Sequence, residues 1–371
     1  MPANDIPLAK EIDRVPSITV PLDSRQERRY QRLMDEIIMV DVHQHPMVLP
    51  DNLGQFTVYL RSNNYRWGYQ AVKTGGWTAV ATANFFRGLV NTPELSFVAF
   101  QDVLTEVGLM LADVSQQRDV LKVTSAHEIE SARQQGKVGF FPTLEYLAIG
   151  NELNRVDVLY SMGIRLAGLT YNRKNYIGDG LYERNDGGLS EFGIAVVRRM
   201  NDLGMAIDLS HASFQTAMDA IQFSQAPVAF SHNAAYTLRP TQRCRKDEEL
   251  LACARKGGLI AITAVPNSLS DDPEQDIECV LEHYDYMVKL VGVDQVAIGT
   301  DTTIGDHVDF HRKIMGRNGP GQLPAPYLNG LESPADGKNI IRGLINRGYS
   351  DADIKKIAGG NALSFFRRVM G

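Results

Sequence analysis

Six side chains of metal-ligand type stand at the ends of short apolar runs in this 371-residue chain. His43 and His45 follow the first run, in Ile37-Ile-Met-Val-Asp-Val-His-Gln-His45. Residues two apart on an extended strand point the same way, so one strand end can bring both imidazoles to one place. Phe141-Pro-Thr-Leu-Glu145 and Ala297-Ile-Gly-Thr-Asp301 end in carboxylates, while Ile207-Asp-Leu-Ser-His211 and Ala229-Phe-Ser-His232 end in imidazoles. Taken singly, each has an ordinary explanation. Glu145 could be a solvated loop acid, Asp301 a helix N-cap, and His211 or His232 a hydrogen-bonded structural residue. Their coincidence at successive strand ends favours a metal site. Four histidines, a glutamate and an aspartate exceed what one zinc ion needs and suit a two-metal centre with a shared carboxylate. The chemistry of such a centre is hydrolysis.

The elements that must position these groups follow a rhythm. Apolar, β-rich runs at 37–42, 77–83, 138–144, 164–170, 205–209, 228–231, 259–264 and 295–300 alternate with segments of helical period at 94–114, 190–203, 214–223, 247–255 and 274–291. Strands alternating with helices point to parallel pairing through helical crossovers. Eight such units predict a closed (β/α)8 TIM-type barrel, with an open doubly wound sheet as the alternative built from the same units. In a barrel, all strand C-termini converge on one mouth, so residues distant in sequence become neighbours.

Residues 1–24 read as a polar, proline-punctuated N-terminal arm, and 25–371 as one barrel domain. Two insertions follow strand ends: an aromatic one at 53–76 and a Gly- and Pro-rich one at 302–337, each expected to form a partial lid or a subunit contact. Ser350 and Asp353 predict a capping box for a short helix near the C-terminus.

The net charge of −6 and the absence of a basic stripe argue against a nucleic-acid or anionic-membrane partner. No run approaches a membrane span, and the charged opening residues do not read as a secretory signal. Three cysteines without metal-site spacing predict a reducing, cytoplasmic setting. The remaining histidines look different. His127 and His283 fall within helical segments, and His307 and His311 lie in the second insertion; all four are expected to be surface or packing residues.

Several segments together resemble the zinc-dependent dipeptidases typified by renal (membrane) dipeptidase. They are Gly204-Met-Ala-Ile-Asp-Leu-Ser-His-Ala-Ser213, Pro227-Val-Ala-Phe-Ser-His232 with Ala235-Tyr236, Gly292-Val-Asp-Gln-Val-Ala-Ile-Gly-Thr-Asp301, Arg347-Gly-Tyr-Ser350 and Gly359-Gly-Asn361. The resemblance implies a barrel with two zinc ions, His43 and His45 on the first, His211 and His232 on the second, and Glu145 bridging. It implies Asp301 as the acid/base for the attacking water and the leaving amine. Arg243 would grip the substrate carboxylate, with Arg239 and Arg245 close enough in sequence to compete for that role. A small dipeptide-like substrate and a homodimer are implied as well. Two departures stand out. The family has His-x-Asp where this chain has His43-Gln-His45, which makes the first site one charge more positive. It has Leu-Thr-His-Asn where this chain has Leu169-Thr-Tyr171-Asn172, so Tyr171 would meet the oxyanion with a neutral hydroxyl. These departures keep open a lactone, an ester or a non-peptide amide acid as substrate, or a barrel that binds without catalysis.

Overall fold

The computed structural model describes residues 6–90, 98–314 and 326–371. The eight expected runs are its barrel strands: Val40–Asp41, Ala79–Ala81, Val138–Phe141 continued by Thr143–Leu144, Leu166–Gly168, Ala206–Asp208, Ala229–Asn233, Leu259–Ile262 and Val296–Ile298. Each pairs in parallel with its neighbours, and the first also pairs with the eighth, Asp41 opposite Ile298.

The ring closes through the third strand. Pro142 has no N–H to give, so the ladder skips a residue there. The chain runs on in the same direction: the Pro142 carbonyl accepts Arg165 N at 3.2 Å, and Thr143 and Leu144 then pair with Leu166 and Ala167. Residues 139–141 pair with the second strand. One proline-broken strand thus joins the two ends of the sheet. A further strand, Val120–Lys122, lies along Val138–Phe140.

The crossover helices start and stop on their own local chemistry. Ser125, Ser190 and Ser213 each accept a backbone N–H from the third residue of the helix they precede, Ala126–Gln134, Glu191–Leu203 and Phe214–Phe223. Phe214–Phe223 and Asp247–Arg255 coincide with the expected bounds. The helix expected at 94–114 is Phe100–Val114, and residues 94–97 lie outside the described residues. Ser350 caps Asp351–Lys355 by accepting Asp353 N, as its sequence predicts.

Alternation along the strands separates two cores. Val80, Phe140, Ile207, Phe230, Ile260 and Ile298 pack against the helices. The opposite face carries small residues, among them Ala79, Ala81, Ala206, Ala229, Ala261 and Ala297. The last helix, Asn361–Met370, closes the N-terminal end beneath it, with Phe366 stacked on Phe141 at 4.7 Å and Asn361 donating to the Val296 carbonyl at 2.8 Å. Burying each such ring stabilises the fold by about 2–3 kcal/mol. The stopper leaves the C-terminal end as the open mouth.

The arm runs along that mouth. Ala9 N donates to the Leu49 carbonyl, the Glu11 carboxylate accepts Gln70 N and Ala71 N at the start of helix Tyr69–Thr74, and Ser17 donates to Glu332 at 2.6 Å. Among the described residues, no helix is long and apolar enough to cross a membrane.

Candidate metal centre

The first two ligand-type residues do not lie on one continuous strand. Asp41 ends the strand, and its carboxylate accepts His43 N at 3.1 Å, a local turn that bends the chain off the ladder. His45 then opens a second strand, His45–Val48, which pairs with Thr303 and Ile304 beyond the eighth barrel strand. The imidazoles of His43 and His45 are therefore edge-on, 5.3 Å apart at 85°, rather than side by side. The same turn recurs at Asp208, which accepts Ser210 N one residue before His211.

Glu145 is the hub. Its Oε2 lies 3.0 Å from His43 Nε2 and 3.5 Å from His45 Nε2. Its Oε1 lies 2.8 Å from His211 Nε2 and 3.6 Å from His232 Nε2. One carboxylate oxygen thus faces each pair of imidazoles, and all five residues are buried. Asp301 Oδ1 sits 2.9 Å from His45 Nε2 and 3.8 Å from His43 Nε2. Its backbone stands at φ 59°, a left-handed conformation that aspartate tolerates better than most residues and that aims the carboxylate inward.

The other ring nitrogens fix the tautomers. Ser231 Oγ donates its proton to Asp208 Oδ2 at 2.7 Å, so it can only accept from His43 Nδ1 at 3.0 Å and His232 Nδ1 at 2.8 Å. His211 Nδ1 donates to Asn172 Oδ1 at 2.9 Å. Three Nε2 lone pairs are thereby turned toward Glu145, the arrangement in which imidazoles bind metal. His211 Nε2 and His232 Nε2 approach to 3.0 Å, close enough to share one proton or one cation. The residues fit a metal centre. His45 differs: its Nδ1 is buried without a partner among the described residues. Gly299 makes room for this support, since a Cβ there would lie 1.7 Å from the Ser231 carbonyl.

Without metal, charge sorts itself within the cluster. Burial pulls His43 down, but the Glu145 carboxylate outweighs it and lifts the imidazole to about 9. Burial and the Arg243 cation pull His211 down to about 3, and burial holds His232 well below its ordinary value. Burial pushes Glu145 up, yet the His43 and His211 imidazoles keep it well below the usual carboxylate range.

Because Ser231 supports a ligand on each side of the hub, Ser231→Ala is expected to weaken metal affinity by about 10- to 100-fold. Competition with a chromogenic chelator measures it. Unchanged affinity would show that the tautomers are set elsewhere.

A cavity opens above the cluster, lined by His45, Glu145, Tyr171, His211, Arg243 and Asp301 among others, with His43 and His232 behind them. Arg243 reaches it while donating to the Ser210 and His232 carbonyls. Arg245 is spent on Glu249, Asn233, Ala212 and Ser210, and Arg239 pairs with Asp271, so of the three arginines only Arg243 lines the cavity. Tyr171 stacks on His211 at 4.3 Å.

The histidines outside the cluster divide. His127 is exposed, and His283 is a packing residue that accepts from Ala235 N and donates to the Leu269 carbonyl. The reading of His307 and His311 as surface or packing residues is corrected: both line the cavity, because the chain after Asp301 folds back over the mouth instead of leaving it. Phe85, Phe86, Phe310 and Glu332 also line it, and Phe56 of the first insertion packs on Phe86 and Phe310. Sequence reading missed all of these apart from the insertion itself. Only the i, i+4 spacing of the two histidines signalled them.

The geometry has counterparts. A curated relative, the dipeptidase tcpJ of Claviceps purpurea (strain 20.1), is 30% identical over 224 residues, 60% of this chain and 48% of that one, so the match spans about half the length of that relative. The crystal structure of an amidohydrolase from Pseudomonas aeruginosa superposes with a TM-score of 0.78 at 27% identity, covering 92% of this chain and 99% of that one. A metallo peptidase from Rhodobacter sphaeroides, liganded with a phosphinate mimic of the dipeptide L-Ala-D-Ala, has the same fold, with a TM-score of 0.71 at 20% identity over 90% of this chain and 99% of that one. The family model for membrane dipeptidase (peptidase family M19) matches residues 27–370. The chain belongs to that family.

Proposed function

We propose that this member of the membrane dipeptidase family hydrolyses the amide bond of a dipeptide, or of a similarly small carboxylate-bearing substrate, using two zinc ions held on either side of Glu145. The observation that carries the reading is the split of the Glu145 oxygens between the His43–His45 and His211–His232 pairs. Imidazole and carboxylate ligands suit zinc.

The metal ions would supply Lewis acidity toward the scissile carbonyl and bring the pKa of water toward neutrality. The protein does the rest. Arg243 grips the substrate carboxylate through its planar fork, which places the amide over the cluster. Asp301, held over the hub by its backbone, takes the proton of the attacking water and passes it to the departing amine. Tyr171 offers one hydroxyl hydrogen bond to the tetrahedral oxyanion. Cys244, Cys253 and Cys279 are free thiols, which supports a reducing, cytoplasmic setting. A homodimer rests on the family resemblance alone.

The test is metal content with activity after chelation and reconstitution. Purified protein is expected to carry close to two zinc ions per chain, to lose amide hydrolysis on chelation, and to recover it with zinc. Small lactones are assayed beside the dipeptides. Faster turnover of lactones would overturn the substrate assignment, and full activity with a single ion would overturn the two-metal one.

A further inference from the structure

One wall of the cavity, formed by His307, Glu332, Phe85, Phe86 and Phe310, has no role in the mechanism above. Arg243 belongs to the connection after the sixth strand and is anchored beside His211 and His232. His307 belongs to the connection after the eighth strand, whose Thr303 pairs with His45. Phe85 and Phe86 follow the second strand. Around the ring, the first and second strands stand opposite the fifth and sixth, and the eighth adjoins the first, two places from the sixth. A dipeptide with its carboxylate on Arg243 and its amide over Glu145 would extend its amino-terminal residue toward the Phe85–Phe86 side of the same cavity, which His307 and Phe310 flank.

His307 is held there by several contacts. Its ring meets Tyr327 edge-on at 4.9 Å, Asp306 caps its short helix by accepting Asp309 N, and the Tyr327 hydroxyl ties back to Asp306 at 2.6 Å. His307 Nε2 faces the Pro326 carbonyl at 3.3 Å, and a carbonyl can only accept, so Nε2 carries the proton. Burial pulls the imidazole down to about 4, so it is neutral and Nδ1 is an acceptor. No described residue uses that acceptor, and the residue lines the cavity. Glu332, on the same wall, is a buried carboxyl whose Oε2 accepts from Ser17 and from Gly330 N. Beside these acceptors stand the rings of Phe85, Phe86 and Phe310, with Phe310 5.6 Å from Phe86. An acceptor next to an aromatic wall matches a free amine on a carbon that bears an apolar side chain.

We propose that this wall reads the amino-terminal half of the substrate: His307 Nδ1 accepts a hydrogen bond from the free α-amino group, and Phe85, Phe86 and Phe310 receive a large apolar side chain. The inference rests on the dipeptide reading and adds what that reading leaves open, the preferred amino-terminal residue and the group that selects it. His307 is a specificity-determining residue and takes no part in bond breaking.

The experiment uses the zinc-loaded protein and three non-hydrolysable phosphinate isosteres, of Phe-Gly, of its des-amino analogue and of Gly-Gly, titrated by calorimetry. Wild-type protein is expected to bind the Phe-Gly isostere at least about tenfold more tightly than either of the others, the worth of one hydrogen bond to a charged group or one buried ring. His307→Phe is expected to lose about tenfold on the amino-bearing isostere and nothing on the des-amino one, and His307→Gln, which keeps an acceptor, to recover most of that loss. Equal weakening of both isosteres by His307→Phe, or an unchanged preference, would overturn the role of His307. Equal affinity for the Gly-Gly and Phe-Gly isosteres would overturn the apolar pocket. Separately, wild-type hydrolysis of Phe-Gly tests the dipeptide reading itself. A chain that hydrolyses Phe-Gly yet shows no amino preference loses only this inference; one that neither cleaves Phe-Gly nor binds any isostere loses both.

Discussion

Glu145→Gln is expected to lower hydrolysis by about three orders of magnitude or more and to cut bound zinc to one ion or fewer per chain. The reason lies in the two oxygens of the hub. Each faces a pair of imidazoles, and the partners of His43, His211 and His232 leave the lone pairs of these three pointing inward. An amide at this position keeps one acceptor but presents an N–H₂ group to the other pair, and it removes the only negative charge that both sides share. The substitution is nearly isosteric, so the barrel is expected to keep its far-ultraviolet circular dichroism. Metal analysis and a turnover assay on the same preparation decide the matter. Two ions per chain with near-normal turnover would sink the bridging role.

Asp301→Asn should separate proton transfer from binding. Asparagine tolerates the left-handed backbone that Asp301 occupies, so the side chain stays aimed at the cluster. What is lost, on the proposed mechanism, is the base. A positioned general acid/base contributes about 10²- to 10⁴-fold, and kcat is expected to fall within that range while KM moves little. Steady-state kinetics read it, with zinc content measured alongside because Asp301 Oδ1 also lies within ligand distance of the His43 and His45 pair. Turnover within about tenfold of wild type at full metal occupancy would assign the proton to another group.

The barrel was legible because each strand carries its own signature. Small and β-branched residues recur in runs of barrel-strand length, and serine caps with left-handed glycines mark where helices start and stop. The hub was legible for the same reason, since Glu145, His211, His232 and Asp301 each stand within a few residues of a strand end. What stayed hidden depended on the path of the chain beyond the strands. Nothing in the alternation tells that Asp41 turns the chain before His43, or that the connection after Asp301 doubles back and carries His307 into the cavity. The support of the ligands was hidden for a different reason. Ser231, Asp208 and Asn172 are ordinary polar residues until the fold sets them against particular ring nitrogens. The choice among Arg239, Arg243 and Arg245 likewise needed partners that lie distant in sequence.

The pairing of the first strand with the eighth has a consequence for how the molecule comes into being. Thr300 Oγ1 donates to Asp41 Oδ2 at 2.6 Å across 259 residues of chain, and His43 and Asp301 lie just beyond that junction. Closing so long a loop costs entropy that must be met before the contact between the two strands repays it. During synthesis, His43 and His45 emerge early but have no Asp301 to meet until the last strand has left the ribosome. An ion captured sooner could be held only by a partial ligand set. On the proposed ligand set, the centre is complete only once the first and last strands have met, and an ion bound there would favour that closed state.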